Sequence, residues 1–402
     1  MKRLCSILLL SLVCVSGALR AEICSLDTVP AATLLLPFFD VDLADPQGRT
    51  TLMSIANAGD RATLARVTLW TDAGLPTFAF DVYLTGYDVQ TLNLRDVLLG
   101  DLPVTADLGN DPGDTLSPRG AESQDASFPG CPGLLPLPPV PPQIKEFLRK
   151  AHLGQRTPLT DNLCLGLPVQ GSVARGYATV DVVRRCSVLF PSDAGYFGPD
   201  GVAGHDNVLW GEFFYVDPGQ EYAQGENLVR IESDPSRFRP GDRTFYGQYV
   251  NQTAADGREP LPTSWGARFL DGGVFDAGTD FIVWRQPPVK PEPFLCGRTP
   301  SWYPLQFSQY HLYDEQENPD APSCFPIPLP CELALLPAAA GRYNTGSEEA
   351  LVPFDFGWLF VDLRPSPQAW VGSVTSASRV FSVGLEATPF HSGCEPAFEQ
   401  PW

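Results

Sequence analysis

The chain predicts a mainly β protein: a β-sandwich built from N- and C-terminal segments, with a large β-rich, Pro-rich insertion and one short helix. Three observations carry that expectation. Pro and Gly, 41 and 36 of 402 residues, cut the chain into short runs joined by turns and long loops, which suits strands better than helices. Period-2 alternation recurs near the N-terminus. Ala65, Val67 and Leu69 share one face of residues 63–71, and Phe78, Phe80, Val82 and Leu84 share one face of the next run. Only Gln143 to Leu153 has convincing helical spacing, with Ile144, Phe147, Leu148 and Ala151 on one stripe behind Pro141 and Pro142.

Taken in order, Thr33 to Val41 is an apolar strand and Thr51 to Asn57 a second, ended by the turn Asn57-Ala-Gly-Asp60. Residues 63–71, 77–84 and 87–94 continue the meander. Asp101 to Ser127 is polar and reads as a loop, and Phe128 to Pro142 as polyproline II. Strands are expected again at 173–183, 207–216, 227–231, 243–250 and 280–285, followed by Pro-rich stretches at 287–304 and 319–337. Residues 357–363, 368–374 and 379–387 are three closing strands, expected to complete the sheets begun at the N-terminus. The expected division is a signal peptide at 1–21, a sandwich from 22–99 and 347–402, and an inserted β-rich region over 100–346. That region is either a second domain or part of the same one.

The first 21 residues have the layout of a secretory signal: Lys2 and Arg3, an apolar run from Leu4 to Val15, then small residues at Ser16, Gly17, Ala18 and Ala21. The run is too short to span a bilayer and no longer one follows, so no membrane insertion is expected. The predicted location is periplasmic or extracellular, where disulfides persist. Of ten Cys, Cys5 and Cys14 leave with the signal. Cys24, Cys131, Cys164, Cys186, Cys296, Cys324, Cys331 and Cys394 remain, an even number that predicts a disulfide framework. Two pairings have sequence support. Cys324 and Cys331 bracket a Pro-rich loop, and Cys24 and Cys394 lie near the two ends, which often meet in space. With no C-x-x-C pair and only four His, a zinc site is poorly served. A net charge of −20 repels phosphate backbones and anionic headgroups, which argues against nucleic acid and membrane surfaces as partners.

Three stretches, Arg66 to Val97, Asp206 to Glu232 and Arg258 to Arg285, resemble a group of uncharacterised exported bacterial proteins of unknown function. The likeness covers most of the mature chain and implies no activity and no catalytic residue. The N-terminal portion also resembles, at the level of fold alone, Ig-like extracellular β-sandwiches.

Chemistry-bearing motifs are sparse. G-x-S-x-G, H-E-x-x-H, the P-loop and G-x-G-x-x-G are all absent. His152, His205, His311 and His391 are the only imidazoles. His152 reads as a solvated or capping residue. His205, in Gly204-His-Asp206, is the best acid–base candidate, with neighbouring carboxylates expected to raise its pKa, yet no nucleophile motif accompanies it. Glu212 between Trp210 and Phe213, with Asp271, Asp276 and Asp280, is the carboxylate set a glycoside hydrolase would need. No cofactor is predicted. Calcium is the one ion the loops suit, through Asp107, Asn110, Asp111 and Asp114 or through Asp40, Asp42 and Asp45, although neither spacing is an EF-hand. Trp70, Trp284 and Trp358 lie in strand patterns and are expected in the core, whereas Trp265 and Trp302 in Pro/Gly-rich loops are expected at the surface, where rings stack on sugars. Trp402 ends the chain after Pro401, without the alternating terminal strand of an outer-membrane barrel.

The sequence therefore predicts no catalytic, cofactor-binding or metal-ligating residue. The expected role is an exported, disulfide-bonded structural or recognition protein with a protein or glycan partner. The alternative is a carbohydrate-active hydrolase using paired carboxylates.

Overall fold

Ten consecutive residues, Thr33–Asp42 (β1), carry the centre of the molecule, and all but the last are buried. A strand apolar on both faces must be covered on both, and the chain supplies the layers. In the computed structural model, residues 29–105, 131, 134–135, 137–169, 171–250, 253, 255–276, 278–287, 289–298, 309–319, 333–337, 355–377, 381–391 and 393 are described. The predicted signal peptide, Cys24, Cys324, Cys331, Cys394, the 107–114 acidic loop, Trp302 and Trp402 lie outside them.

The fold is mainly β, with four antiparallel sheets. β1 pairs with β6 (Val173–Val183) and with β9 (Val229–Ile231). β6 pairs in turn with β3 (Thr63–Thr71), and β3 with β4 (Pro76–Leu84), giving the order β4-β3-β6-β1-β9. Pro37 has no N–H for the ladder, and the register of β1 against β6 shifts between Leu36 and Phe39, around it. A second sheet of β2 (Thr50–Asn57), β5 (Val89–Asn93), β7 (Leu209–Asp217) and β8 (Tyr222–Asn227) covers the first in the order β5-β2-β7-β8. Phe213 and Tyr215 of β7 reach the shared core, and the Tyr215 hydroxyl donates to the Phe38 carbonyl at 3.0 Å.

The remaining strands form two more sheets. β10 (Ser264–Leu270), β12 (Tyr310–Asp314), β14 (Phe356–Asp362) and β17 (Thr388–Pro389) run in the order β12-β14-β10-β17. β11 (Thr279–Arg285), β13 (Leu333–Pro337), β15 (Ala369–Ala377) and β16 (Phe381–Glu386) run in the order β13-β11-β15-β16. The closing strands were expected to complete the N-terminal sheets. Among the described residues β14 to β17 pair instead with β10 to β13, and β1 to β5 with β6 to β9. Each half of the chain thus satisfies its own ladders.

Two further expectations change. A short helix α1 (Leu94–Leu99), which was not expected, begins at the residue where the 87–94 strand was expected to end: the Asn93 side chain accepts from the Arg95 N–H, and Gly100 at φ 83° ends it. With α2 (Pro142–His152) the fold has two α-helices among the described residues, not one. Residues 243–250 form turns rather than a strand. Their backbone is held by local turn bonds, by the Phe245 N–H to the Arg258 carbonyl at 3.2 Å and by the Asp256 carboxylate, which accepts from the Tyr246 N–H at 2.9 Å, while Phe245 and Tyr246 enter the core.

A buried ion pair locks the 232–260 segment to the first sheet. Arg258 and Asp181 are both fully buried, 3.5 Å apart. Arg258 also donates to the hydroxyl of Thr33 and to the carbonyls of Asp256 (2.9 Å) and Gly204 (3.0 Å). Asp181 accepts from Thr33, Tyr196 and Tyr246. A second buried pair, Arg66 to Asp81 at 2.8 Å, fastens residues 187–189, because Arg66 also donates to the carbonyls of Ser187 and Leu189.

His152, expected at the surface, is buried. Its Nδ1 lies 2.9 Å from the Arg175 carbonyl, which only accepts, so Nδ1 carries the proton and Nε2 accepts from the Thr77 hydroxyl at 2.9 Å. The ring pins the end of α2 to β4 and β6. Burial pushes its pKa down to about 4. The unfolded chain takes up this proton near pH 6.5 and the folded chain only near 4, so stability is intact above that window and falls as the pH drops through it. Burial pushes Asp72 the other way, up to about 7, so the His152 contribution is read by difference. Between pH 6.5 and 4 the wild type is expected to lose about 3 kcal/mol relative to His152→Gln. Urea midpoints of both proteins at pH 7, 5.5 and 4 check this, and a pH-independent difference would clear His152.

Candidate functional site

Beside β4 lies an apolar groove of about 360 Å³. Its floor is Thr77 to Asp81 of β4. Its sides are α2 through Ile144 and Phe147, the run Leu137 to Pro141, and the segment carrying Ser187, Val188 and Phe190. Local sequence explains each side. The prolines hold 138–141 extended and start α2. The stripe on α2 is wider than the core needs: Leu148 and Ala151 are buried, while Ile144 and Phe147 stay half-buried and line the groove. The disulfide Cys131–Cys186 ties the chain preceding α2 to the 187–190 segment. A second disulfide, Cys164–Cys296, fixes the loop behind α2, where Cys164 and Phe294 also exchange backbone hydrogen bonds at 2.8 and 3.0 Å.

Among the described residues Asp81 is the one ionisable side chain lining the groove. Burial pushes its carboxyl up, against the pull of Arg66. Both of its oxygens are taken, one by Arg66 and one by the Ser187 N–H at 3.2 Å. The groove therefore offers shape and apolar surface but no free acid, base or nucleophile.

The residues singled out in the sequence do not gather into a site. His205 Nδ1 lies 2.7 Å from the Ser233 hydroxyl, whose own proton goes to the Gly257 carbonyl. Burial, with the guanidiniums of Arg258 and Arg184, lowers its pKa to about 4, the reverse of the rise expected from carboxylates. His311 stacks on Phe360 in the β12–β14 sheet, and His391 accepts from the Thr263 N–H. Glu212 stands exposed on β7, whereas Asp271 and Asp280 belong to the other pair of sheets, Asp280 buried within β11 and Asp276 exposed in the turn before it.

The carboxyls that face each other are two that the sequence did not single out. Glu226 of β8 is pushed up by burial and by Glu386 of β16. Glu386 is itself raised by burial, against the Trp370 indole N–H that donates to it at 2.9 Å and the Arg230 charge. Their cleft holds about 10 Å³, space for a water and not for a sugar ring. No local pattern marks this pair, because β8 and β16 meet only through the packing of distant strands.

Asp40, Asp42 and Asp45 serve the backbone and nearby cations. Asp40 pairs with Arg49 at 3.0 Å, Asp42 accepts from the N–H groups of Ala44 and Asp45 and from Ser172, and Asp45 caps Gln47. Among the described residues no three His, Cys, Asp or Glu side chains gather as a metal site. Trp70 and Trp284 are buried as expected, Trp70 stacked on Tyr177. Trp265, expected at the surface, is wholly buried in β10. Trp358 is half-buried and stacks on Tyr313 across the strands at 4.4 Å, so these rings cover one another's faces. No described helix is long and apolar enough to cross a membrane.

Comparison of the chain with protein-family models, with curated proteins and with solved structures found no match.

Proposed function

We propose that this is an exported recognition protein, of the bacterial group its sequence resembles, that holds an apolar ligand in the groove beside β4. The observation that carries the reading is the groove itself: about 360 Å³ of mainly apolar surface whose one ionisable group among the described residues is already paired. Such a cavity binds without reacting. Two disulfides are compatible with an oxidising compartment, and the charge of −20 disfavours polyanions as ligands.

A titration with the neutral apolar dye Nile red tests this. The wild type is expected to enhance its fluorescence, and Ile144→Asp, which places a charge on the groove wall, to weaken binding at least tenfold (a factor set by about 1.4 kcal/mol). Val289→Asp, at an exposed position outside the groove lining, serves as the control. Equal binding by the wild type and Ile144→Asp would remove the groove as the site.

A further inference from the structure

Building on the recognition reading, we propose that the groove's occupant is an extended polypeptide segment, hydrogen-bonded to β4 as an added strand. Among the described residues β4 is the outer strand of its sheet and pairs only with β3. In an antiparallel pair, alternate residues turn both backbone groups towards the partner and the others turn them away. Thr105 fixes the phase. Its hydroxyl accepts from the Tyr83 N–H at 2.7 Å and donates to the Tyr83 carbonyl at 3.1 Å, so Tyr83 faces outward.

Ala79 and Asp81, four and two residues earlier, therefore face outward too, while Phe80 and Val82 serve the β3 ladder. No described residue hydrogen-bonds the outward N–H and carbonyl groups of Ala79 and Asp81. Both residues belong to the groove floor. An edge of this kind is ordinarily blunted by lysine, proline or a bulge. From Phe78 to Tyr83, β4 has none of these, its proline and its register shift lying at the strand's start, at Pro76 and Thr77. The edge is instead short, recessed between apolar walls and closed at its far end by Thr105.

The four backbone groups select the occupant. A lipid or sterol would cover the apolar walls and leave these groups dry and unpaired, which is costly. A peptide strand pairs all four and sets its alternate side chains against the walls, the mode of strand addition. The net charge of −20 favours a strand flanked by lysine or arginine.

The test uses the oxidised full chain and a fluorescein-labelled heptapeptide, Lys-Val-Thr-Val-Thr-Val-Lys, followed by fluorescence anisotropy. N-methylation of alternate residues removes the donors that face β4 without removing side chains. The peptide is expected to bind, and the series methylated in the correct phase to bind at least tenfold more weakly. Ala79→Pro removes one outward donor that the β3 ladder does not use. It is expected to weaken the peptide similarly, with the circular dichroism spectrum unchanged. Equal binding of both N-methylated series and the parent peptide overturns strand addition. Nile red bound without the peptide leaves the recognition reading standing and removes this one, whereas failure of both probes removes both. A dimer by light scattering that Ala79→Pro dissolves, with no peptide bound, assigns the edge to a second copy of the chain and likewise overturns the proposal.

Discussion

Arg258→Met is expected to lower the unfolding free energy by about 3–5 kcal/mol, the cost of stranding one charge of a buried ion pair. Arg258 and Asp181 are both fully out of water, and the guanidinium also serves Thr33 and the carbonyls of Asp256 and Gly204. Removing it leaves the Asp181 carboxylate with the hydroxyls of Thr33, Tyr196 and Tyr246 and, among the described residues, no other cation at ion-pair distance. The loss is large against the 5–15 kcal/mol typical of a folded domain. Adding Asp181→Leu to Arg258→Met is expected to recover a substantial part of it, because the stranded charge is then gone. Urea unfolding of the two single variants and the double variant gives the coupling energy. Additive losses would mean that the two side chains contribute independently, contrary to the geometry.

Removing the Cys164–Cys296 disulfide by a double Cys→Ser change is expected to cost about 5 kcal/mol, from the chain-entropy estimate for its loop. The crosslink spans a sequence separation of 132, against 55 for Cys131–Cys186, and the longer loop gains the more from closure. It also joins the chain after α2 to the segment following β11. The Cys131–Cys186 variant is expected to lose about 4 kcal/mol by the same estimate and to loosen the groove beside it. Guanidinium unfolding under oxidising conditions measures both. A loss under about 1 kcal/mol for Cys164–Cys296 would show that the described backbone bonds between Cys164 and Phe294 hold the loop without it.

Individual strands were largely readable in the sequence. Residues 63–71 and 173–183 form strands at the bounds expected, because alternation and flanking turn residues are local signals. α1 was also readable in principle. Asn93, the i, i+3, i+4 spacing of Leu94, Val97 and Leu98, and Gly100 make a complete start and stop signal in one short stretch. The turns at 243–250 were not, because the Asp256 carboxylate and the Arg258 carbonyl that help to hold them lie beyond the window in which alternation is read.

The groove shows the same division. Its parts were visible as a proline run, a helix stripe and an alternating strand, yet nothing local says that Ile144 and Phe147 stay half-exposed while Leu148 is buried. His152 and Trp265 were misplaced for a related reason. A polar ring or a loop-like flank looks solvated until the partner across the fold is known, and here the partners are Thr77, Arg175 and the core around β10.

By itself the sequence determined the β class, most strand positions, α2, the acidic balance and the supply of cysteines, since each depends on residues within about ten positions of one another or on composition alone. Only the tertiary structure decided which strands pair, that among the described residues each half of the chain closes its own sheets, which of the described cysteines meet, and that Ala79 and Asp81 of an outer strand come to line an apolar groove. Those outcomes depend on burial and hydrogen bonding between residues tens to hundreds of positions apart, where the chain carries no periodic signal.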